Sequence, residues 1–329
     1  MKLTTLLGTA ALAVLLSPAA HAGLTLTTDG VTAGFTLSTF VSGYNFGNYG
    51  PLSQAVLPNG NIVTGSLGSD RVYVFKDVDN QTLGDALIAN SYTLETGNPH
   101  FAMATVAGQA YGGQLFGGVF YHFDNSGAYV PIGGATHTDL RDYLGIWGSV
   151  SGKLIASTYS GLAEIDPTTG AYRIINAGLR PDGVSVSPDG KIAYVENGGI
   201  IQSYDIATGA LIRSYFSTGG HGADGTGVIT GGKYNGDVIV NNNDGTLVLL
   251  DVANDTSLII ASGGTRGDFT SADTSNGTLF ISQIEQVLRL SCGAGCTIGG
   301  PSNNVPEPEA IALVALALLG AAWSRRRRA

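Results

Sequence analysis

The sequence predicts an all-β protein in which about six four-stranded units close into a ring. Three observations support this fold class. A unit of about forty residues recurs along the chain, apolar and polar residues alternate within each unit, and tight turns separate the alternating segments. The 49 glycines, together with abundant threonine, valine and tyrosine, fit many short strands joined by such turns. We therefore expect a β-propeller with a different kind of segment at each end of the chain.

The clearest copy of the unit is residues 183–215, GVSVSPDGKIAYVENGGIIQSYDIATGALIRSY, in which alternating strands are separated by hairpin turns such as Pro188-Asp189-Gly190. The turn after the third strand falls at an aspartate in five copies and at a serine in the last. These residues are Asp79, Asp124, Asp166, Asp205, Asp251 and Ser291, at intervals of 45, 42, 39, 46 and 40 residues. Such a period is typical of a four-stranded propeller blade.

Six units fit between Leu52 and Gly300, but the last one lacks a fourth strand after Leu290. We expect residues 34–43, GFTLSTFVSG, to supply that strand, because a ring closed in this way leaves no open sheet edge. A seven-bladed ring, in which residues 24–56 form a blade of their own, is the alternative. A β-sandwich is less favoured, since nothing in that fold requires a period of about forty residues.

The first 22 residues predict a removable export signal. Lys2 gives a positive start, residues 3–16 are apolar, and Ala20-His21-Ala22 forms a cleavage site of the A-x-A type. The apolar stretch is too short for a membrane anchor. We therefore expect the Sec pathway to export the chain and signal peptidase to cut between Ala22 and Gly23.

The last residues predict a second targeting signal, with an uncharged apolar segment at residues 310–323. As a helix it would span about 21 Å, against roughly 30 Å for the hydrocarbon core of a bilayer. The segment follows Val305, Pro306, Glu307 and Pro308 and precedes Arg325, Arg326, Arg327 and Arg328. An arginine block directly after an apolar run indicates a cytoplasmic stop. We expect residues 310–323 to hold the protein transiently in the inner membrane.

These elements, in this order, resemble the PEP-CTERM sorting signal of Gram-negative bacteria, a tail also known as the ice-binding protein C-terminal domain. The resemblance implies an exosortase that cuts near Pro-Glu-Pro and releases the protein to the cell surface or to an exopolysaccharide matrix. The two prolines keep Glu307 in an extended segment outside the bilayer, where a membrane protease can reach it. Residues 301–329 are therefore assigned to the sorting signal and residues 23–300 to the propeller.

Composition restricts the possible partners. The formal net charge is −9, and removal of the lysine and arginines in the two signals makes the mature protein more negative. Such a surface repels nucleic acid and anionic membranes, and it suits cations and neutral or basic partners. The two cysteines, Cys292 and Cys296, lie in SCGAGC, and in an oxidising compartment we expect them to form a disulfide.

Residues 179–198, LRPDGVSVSPDGKIAYVENG, resemble part of the SMP-30/gluconolactonase family, a group of six-bladed propellers. In that family the residue between the Pro and the Gly binds a divalent metal in the central channel. Here that residue is Asp182, where the family usually has Asn. A second family aspartate, both ligand and catalytic base, corresponds to Asp224 in HGADGTGV.

The resemblance is incomplete at the other expected ligands. The first-blade glutamate of the family is missing, because NYGPLSQAVLPNG has Tyr49 ahead of its Gly-Pro. The second-blade asparagine corresponds to Asn98 or His100. A cofactor, if there is one, is expected to be Ca²⁺ or another divalent cation, and an enzyme of this type would use Asp224 as its base.

An aspartate recurs where the innermost strand of four successive units begins. These residues are Asp142, Asp182, Asp224 and Asp268, spaced by 40, 42 and 44 residues. We expect them to converge on one end of the ring axis. They form either structural pairs with the neighbouring Arg141, Arg180 and Arg266, or a divalent-cation site centred on Asp182 and Asp224.

Two functions follow from these patterns. The first is an exported binding protein of the cell surface or matrix, with extracellular polysaccharide or surface proteins as partners. The second is a metal-dependent hydrolase or lyase of the gluconolactonase type, with its site at the channel mouth. The missing glutamate and the lack of a nucleophile motif favour binding.

Overall fold

The computed structural model describes residues 23–47, 50–67, 71–90, 100–136, 140–218 and 220–299. Within them the chain forms six sheets, each built on four antiparallel strands. The predicted six-bladed β-propeller is thereby confirmed. Residues 24–56 do not form a seventh blade, because their strands join three different sheets. The signal peptide, residues 1–22, and the tail, residues 301–329, lie outside the described residues and stay predictions.

The elements are given blade by blade, from the innermost strand outwards. The described part of the chain begins with β1 (Thr25–Leu26), α1 (Thr28–Ala33) and β2 (Thr36–Ser42). Blade 1 contains β3 (Pro51–Val56), β4 (Ile62–Ser66), β5 (Arg71–Phe75) and β7 (Ile88–Asn90), with the short β6 (Gln81–Thr82) before β7. Blade 2 contains β8 (His100–Val106), β9 (Gln109–Gln114), β10 (Val119–Phe123) and β11 (Tyr129–Thr136). Blade 3 contains β12 (Tyr143–Gly148), β13 (Leu154–Thr158), β14 (Gly161–Ile165) and β15 (Tyr172–Asn176).

The second half of the ring follows the same order. Blade 4 contains β16 (Val184–Val186), β17 (Ile192–Asn197), β18 (Ile200–Asp205) and β19 (Leu211–Tyr215). Blade 5 contains β20 (Ala223–Thr230), β21 (Val238–Asn242), β22 (Leu247–Asp251) and β23 (Thr256–Ser262). Blade 6 contains β24 (Gly267–Asp273), β25 (Thr278–Gln283), β26 (Gln286–Ser291) and β2, and β27 (Thr297–Ile298) follows at the C-terminal side. Two turns of 3₁₀ helix, Leu83–Asp85 and Gly232–Tyr234, lie in connections.

The six innermost strands surround the axis, and each contacts the next around the ring, including β24 against β3. Since every blade starts from its innermost strand, these strands run in the same direction along the axis. We call the end where they begin the upper face and the end where they finish the lower face. In each blade the turn between strands one and two lies on the lower face, as does the connection between strands three and four in blades 1 to 5, and the connections between blades lie on the upper face.

Four of the five recurring aspartates predicted from the sequence period, those at 124, 166, 205 and 251, cap turns on the lower face. The Asp205 carboxylate accepts hydrogen bonds from the backbone N–H and the hydroxyl of Thr208, both at 2.7 Å, and these bonds lower the pKa of Asp205. Asp251 accepts from the backbone N–H groups of Ala253 and Asn254 at 2.9 and 3.0 Å. Such side-chain acceptors stabilise a tight turn at a fixed point of each repeat.

The N-terminal strand closes the ring. β2 pairs with β26 in an antiparallel register that places Thr36 opposite Ser291 and Leu37 opposite Leu290. The prediction that residues 34–43 complete the last blade is confirmed. β2 also pairs in parallel with β6, so it joins the last blade to the first.

A buried arginine reinforces this closure. Arg289 of β26 is 9% exposed, and its guanidinium lies 4.9 Å from the ring centre of Phe40 and 5.1 Å from that of Phe280. It forms ion pairs with three carboxylates, those of Asp77, Asp79 and Asp273. Blade 1 supplies two of these carboxylates and blade 6 supplies the third, so one cation links the two ends of the ring.

Three small features add to the predicted ring. α1 begins after Thr27, whose hydroxyl accepts the backbone N–H of Gly30 at 3.0 Å, and β1 extends blade 5 by pairing with β23. Cys292 and Cys296 are joined by a disulfide with their Cα atoms 5.8 Å apart. Among the described residues there is no helix with the length and apolar character to span a membrane; residues 310–323 are not among them.

Candidate functional site

Three of the four predicted aspartates meet at the upper end of the axis. Asp182 lies just before β16, while Asp224 and Asp268 lie at the starts of β20 and β24, the innermost strands of three successive blades. Asp224 is only 4% exposed, and the charges of Asp182 and Asp268 both act on it. The repeat spacing therefore predicted the convergence of these three carboxyl groups.

Glycines next to these aspartates allow the innermost strands to approach each other. A Cβ atom on Gly183 would lie 2.2 Å from the backbone oxygen of Asp224, and one on Gly225 would lie 2.5 Å from that of Asp268. Any larger residue would push the neighbouring strand away, since contacts under about 3 Å are too close for carbon and oxygen atoms. In each Asp-Gly pair the aspartate therefore supplies the carboxyl group, and the glycine allows the next blade to approach closely.

The surroundings of the three aspartates disfavour their charged forms. Burial raises the pKa of Asp268 to about 7 against the opposing effect of Arg266, and burial raises the pKa of Asp182 in the same way. Burial, and then the charges of Asp182 and Asp268, raise the pKa of Asp224 well above its ordinary value. A cluster of this kind is common at functional sites, because folding alone gives no reason to bury like charges together.

Arg266 is the positive partner of the cluster. Its guanidinium lies 3.3 Å from the carboxylate of Asp268 and 3.5 Å from that of Asp224, so it bridges blades 5 and 6. Its Nε also donates to the Asn243 side-chain oxygen at 2.8 Å. The sequence predicted a pair of Arg266 with one neighbouring aspartate. In the structure Arg266 pairs with two, Asp268 and Asp224.

Glu196 is a further acidic member that the sequence did not reveal. It lies in β17, is 8% exposed, and its carboxylate accepts the backbone N–H of Gly199. Burial raises the pKa of Glu196 to about 7, and the charge of Asp182 acts in the same direction. A single acidic residue inside an apolar strand, as in AYVEN, is the only sequence signal for it.

The fourth aspartate and the other two arginines have a different environment. Asp142 has a left-handed backbone with φ of 59°, and burial raises its pKa while Arg141 opposes the shift. The Arg180 guanidinium lies 3.9 Å above the ring centre of Tyr159, and that of Arg141 lies 5.4 Å from the same ring. These two arginines therefore flank an aromatic ring on the upper face.

Exposed aromatic side chains are concentrated on this face. Among the described residues the aromatic side chains that are large and exposed are Phe116, Tyr159 and Phe216, with exposures of 60%, 40% and 69%. Phe116 follows β9, Tyr159 follows β13 and Phe216 follows β19, and each of these strands ends on the upper face. Three neighbouring blades, 2 to 4, thus present exposed rings on the same face as the acidic centre.

The cavities differ between the two ends. A cavity of about 300 Å³ on the upper face lies between blades 5 and 6 and is lined by polar and charged groups that include Arg266, Asp244 and Glu285. Between the innermost strands, next to Asp182 and Asp224, the free space measures only about 10 Å³, roughly enough for one water molecule. A larger cavity of about 430 Å³ opens on the lower face, and the described residues that line it carry no charge.

The described residues do not assemble a metal site. No three His, Cys, Asp or Glu side chains within the described ranges are arranged to hold one ion. The Arg266 guanidinium already lies against Asp224, where a cation would have to bind. Tyr49 and Asn98 lie outside the described residues, and of His100 only the backbone, at the start of β8, is described.

The fold resembles those of solved enzymes. A gluconolactonase of Xanthomonas campestris aligns with a TM-score of 0.62 at 16% identity, over 82% of this chain and 94% of that protein. A putative gluconolactonase aligns with a TM-score of 0.60 at 13% identity, over 79% and 92%. A streptogramin B lyase aligns with a TM-score of 0.52 at 13% identity, over 78% and 97%. At these identities the likeness concerns the fold alone, and no curated protein sequence matches the chain.

The sequence motif of the tail identifies the sorting route. A model of the PEP-CTERM protein-sorting motif matches residues 304–328. The tail is a PEP-CTERM sorting motif. It contains Pro306, Glu307 and Pro308 and the arginines at 325–328. The motif implies exosortase-dependent export of the propeller.

Proposed function

We propose that this protein is a binding protein of the cell surface or exopolysaccharide matrix, and that its upper face binds the ligand. One observation carries the proposal. The exposed aromatic rings of the described residues, Phe116, Tyr159 and Phe216, lie on the same face of the ring as the buried group of carboxyl side chains. Exposed aromatic side chains are unfavourable in water and are typical of binding surfaces.

The chemistry of this face suits a neutral or basic polysaccharide. Aromatic rings pack against the apolar faces of sugar rings, and carboxyl and guanidinium groups exchange hydrogen bonds with pairs of hydroxyls. Arg266 and Asp244 line the cavity of about 300 Å³ beside the acidic centre, which is large enough for a sugar unit. The net charge of −9 opposes binding of acidic polymers.

Delivery follows from the two terminal signals. Signal peptidase cuts between Ala22 and Gly23, and residues 310–323 then hold the chain in the inner membrane with the arginines at 325–328 on the cytoplasmic side. An exosortase cuts near residues 305–308 and releases the propeller to the surface. The match of the sorting motif to residues 304–328 supports this route.

Binding is tested by titrating the mature propeller with matrix polysaccharide purified from the host. The variant with Phe116→Ala, Tyr159→Ala and Phe216→Ala is expected to lose at least about tenfold in affinity, which corresponds to about 1.4 kcal/mol spread over three rings. The matched control replaces exposed aliphatic side chains elsewhere on the ring, Val150→Ala and Leu211→Ala, which are 51% and 52% exposed. Equal affinity of the aromatic and control variants would show that the upper face does not bind the polysaccharide.

A metal-dependent hydrolase of the gluconolactonase type, or a lyase, is the second candidate. It is favoured by Asp182 and Asp224, which lie in neighbouring blades at the upper end of the axis, and in this role Asp224 would be the catalytic base. Arg266 beside Asp224 and the lack of a three-ligand group among the described residues oppose it. For this reason binding is the preferred function.

Calorimetry decides between the candidates. Ca²⁺, Mg²⁺, Mn²⁺ and Zn²⁺ are titrated into the mature propeller, into Asp182→Ala and Asp224→Ala, and into Asp205→Ala as a control on the lower face. A hydrolase requires binding that the first two variants lose and the control keeps, together with turnover of a lactone. Because the pKa of Asp224 is raised, metal binding there would also release protons and weaken as the pH falls. Binding that Asp182→Ala and Asp224→Ala keep, or binding without turnover of a lactone, would argue against the enzyme.

A further inference from the structure

The described chain ends on the axis of the ring. A Cβ atom on Gly299 would lie 2.1 Å from the Cβ of Ala272 and 3.0 Å from the Cζ2 of Trp147. Ala272 lies on β24 of blade 6 and Trp147 on β12 of blade 3. In a six-bladed ring these blades are opposite each other, so a residue in contact with both innermost strands lies near the centre.

Backbone hydrogen bonds fix this position on the lower face. β27 pairs with the end of β20, with Ile298 opposite Ile229. The N–H of Ile298 donates to the oxygen of Gly277 and that of Gly299 to the oxygen of Val228, each at 2.9 Å. Ile298 is 1% exposed. The chain therefore crosses from blade 5 to the axis before it continues to the sorting tail.

The spacer between this point and the apolar segment is short. Ten residues, 300–309, lie between Gly299 and Ala310, so the connection is eleven residue steps long. A chain of that length spans at most roughly 40 Å when fully extended. The innermost strands are themselves about 20 Å long, at about 3.3 Å per residue. The anchor point is thus nearer to the bilayer than the opposite face is.

We propose that the membrane-held protein turns its lower face to the bilayer and its upper face away from it. This orientation rests on the proposed sorting route. It adds that the proposed binding face points away from the membrane. A tether at the centre of one face pulls that face towards its anchor without favouring any blade. The aspartates that cap the lower turns, such as Asp124 and Asp205, repel anionic lipid, so this face stays close to the membrane without adhering to it.

Energy transfer from single-cysteine labels to acceptor lipids tests the orientation. The full chain without its export signal is reconstituted into vesicles of phosphatidylethanolamine and phosphatidylglycerol. The two lower labels are Asn125→Cys and Lys191→Cys, and the two upper labels are Ala177→Cys and Glu285→Cys, all four at exposed positions. Transfer from the lower labels is expected to be at least about twofold stronger, since they lie about 20 Å nearer to the lipid.

The possible results separate the orientation from the sorting route. Equal transfer from both faces, or stronger transfer from the upper labels, with the protein bound to vesicles, would overturn the orientation alone. Failure of the full chain to float with the vesicles would overturn the membrane-held state and the orientation with it. A chain truncated after Gly299 serves as the control, and it is expected neither to float nor to show transfer from any label.

Discussion

The raised pKa of Asp268 allows a quantitative test of the idea that the acidic cluster does not serve folding. Its side chain is 15% exposed, and burial raises its pKa from 3.8 to about 7. The folded state therefore retains a proton that the unfolded chain releases between these values. It follows that the contribution of Asp268 to the stability of the fold is most favourable below pH 4 and is lost as the pH rises to about 7.

The magnitude follows from the size of the shift. Three pKa units correspond to about 4 kcal/mol at most, and relaxation around the charged group reduces this to about 1–3 kcal/mol. The substitution Asp268→Asn keeps the shape and removes the charge. At pH 8 it is expected to raise the free energy of unfolding by this amount, or the melting temperature by about 2–10 °C for a domain of this size. At pH 4 the variant and the wild type should melt together.

Thermal unfolding from pH 4 to pH 9, followed by circular dichroism, measures the effect. The control is Asp205→Asn on the lower face. Hydrogen bonds from Thr208 lower the pKa of Asp205, so the stability it provides is present at neutral pH and is lost as the pH falls, and its replacement should destabilise the protein at pH 8. A lower melting temperature of Asp268→Asn at pH 8 would refute the reasoning, because the carboxylate would then be a stabilising partner of Arg266.

Three further substitutions test the remaining parts of the account. Arg289→Met leaves the buried carboxylate of Asp273 and the partly buried carboxylates of Asp77 and Asp79 without their cation, and it should lower the free energy of unfolding by about 3–5 kcal/mol. Arg173→Met, at an exposed ion pair, should change it by less than about 1 kcal/mol, and chemical denaturation measures both. Gly183→Ala places a methyl group against the neighbouring strand and should destabilise the ring by about 1–3 kcal/mol or more. Gly84→Ala is the control, because a methyl group there meets only ordinary contacts. Equal stability of the two variants would contradict the close approach of the innermost strands of blades 4 and 5. Replacement of residues 306–308 by alanines should leave a larger, membrane-retained species in a host with an exosortase, and identical mass and location of variant and wild type would disprove the sorting route.

The features that could be predicted from the sequence are those with a local or periodic cause. Asp124, Asp166, Asp205 and Asp251 cap turns a few residues ahead, so their chemistry is visible in any one repeat. The closing strand could be predicted because the last blade lacks a partner and residues 34–43 alternate as a strand does. The convergence of Asp182, Asp224 and Asp268 followed from the same period.

The remaining features depend on contacts between blades that no local pattern records. The position of Arg266 between two aspartates depends on how blades 5 and 6 approach each other. The ion pairs of Arg289 with Asp77 and Asp79 join residues more than two hundred positions apart. The return of Gly299 to the axis likewise depends on the packing of two opposite blades. Sequence alone also gave no sign that Phe116, Tyr159 and Phe216 are exposed, since aromatic residues in a repeat are usually buried in the blades.

The central claim, that the upper face is the binding face, is tested most directly by hydroxyl-radical footprinting of the mature propeller with and without matrix polysaccharide. We expect the ligand to protect Phe116, Tyr159 and Phe216 and to leave Val150 and the other residues around the cavity on the lower face unchanged. Protection confined to the lower face, or an identical footprint at a polysaccharide concentration that saturates binding, would contradict the claim.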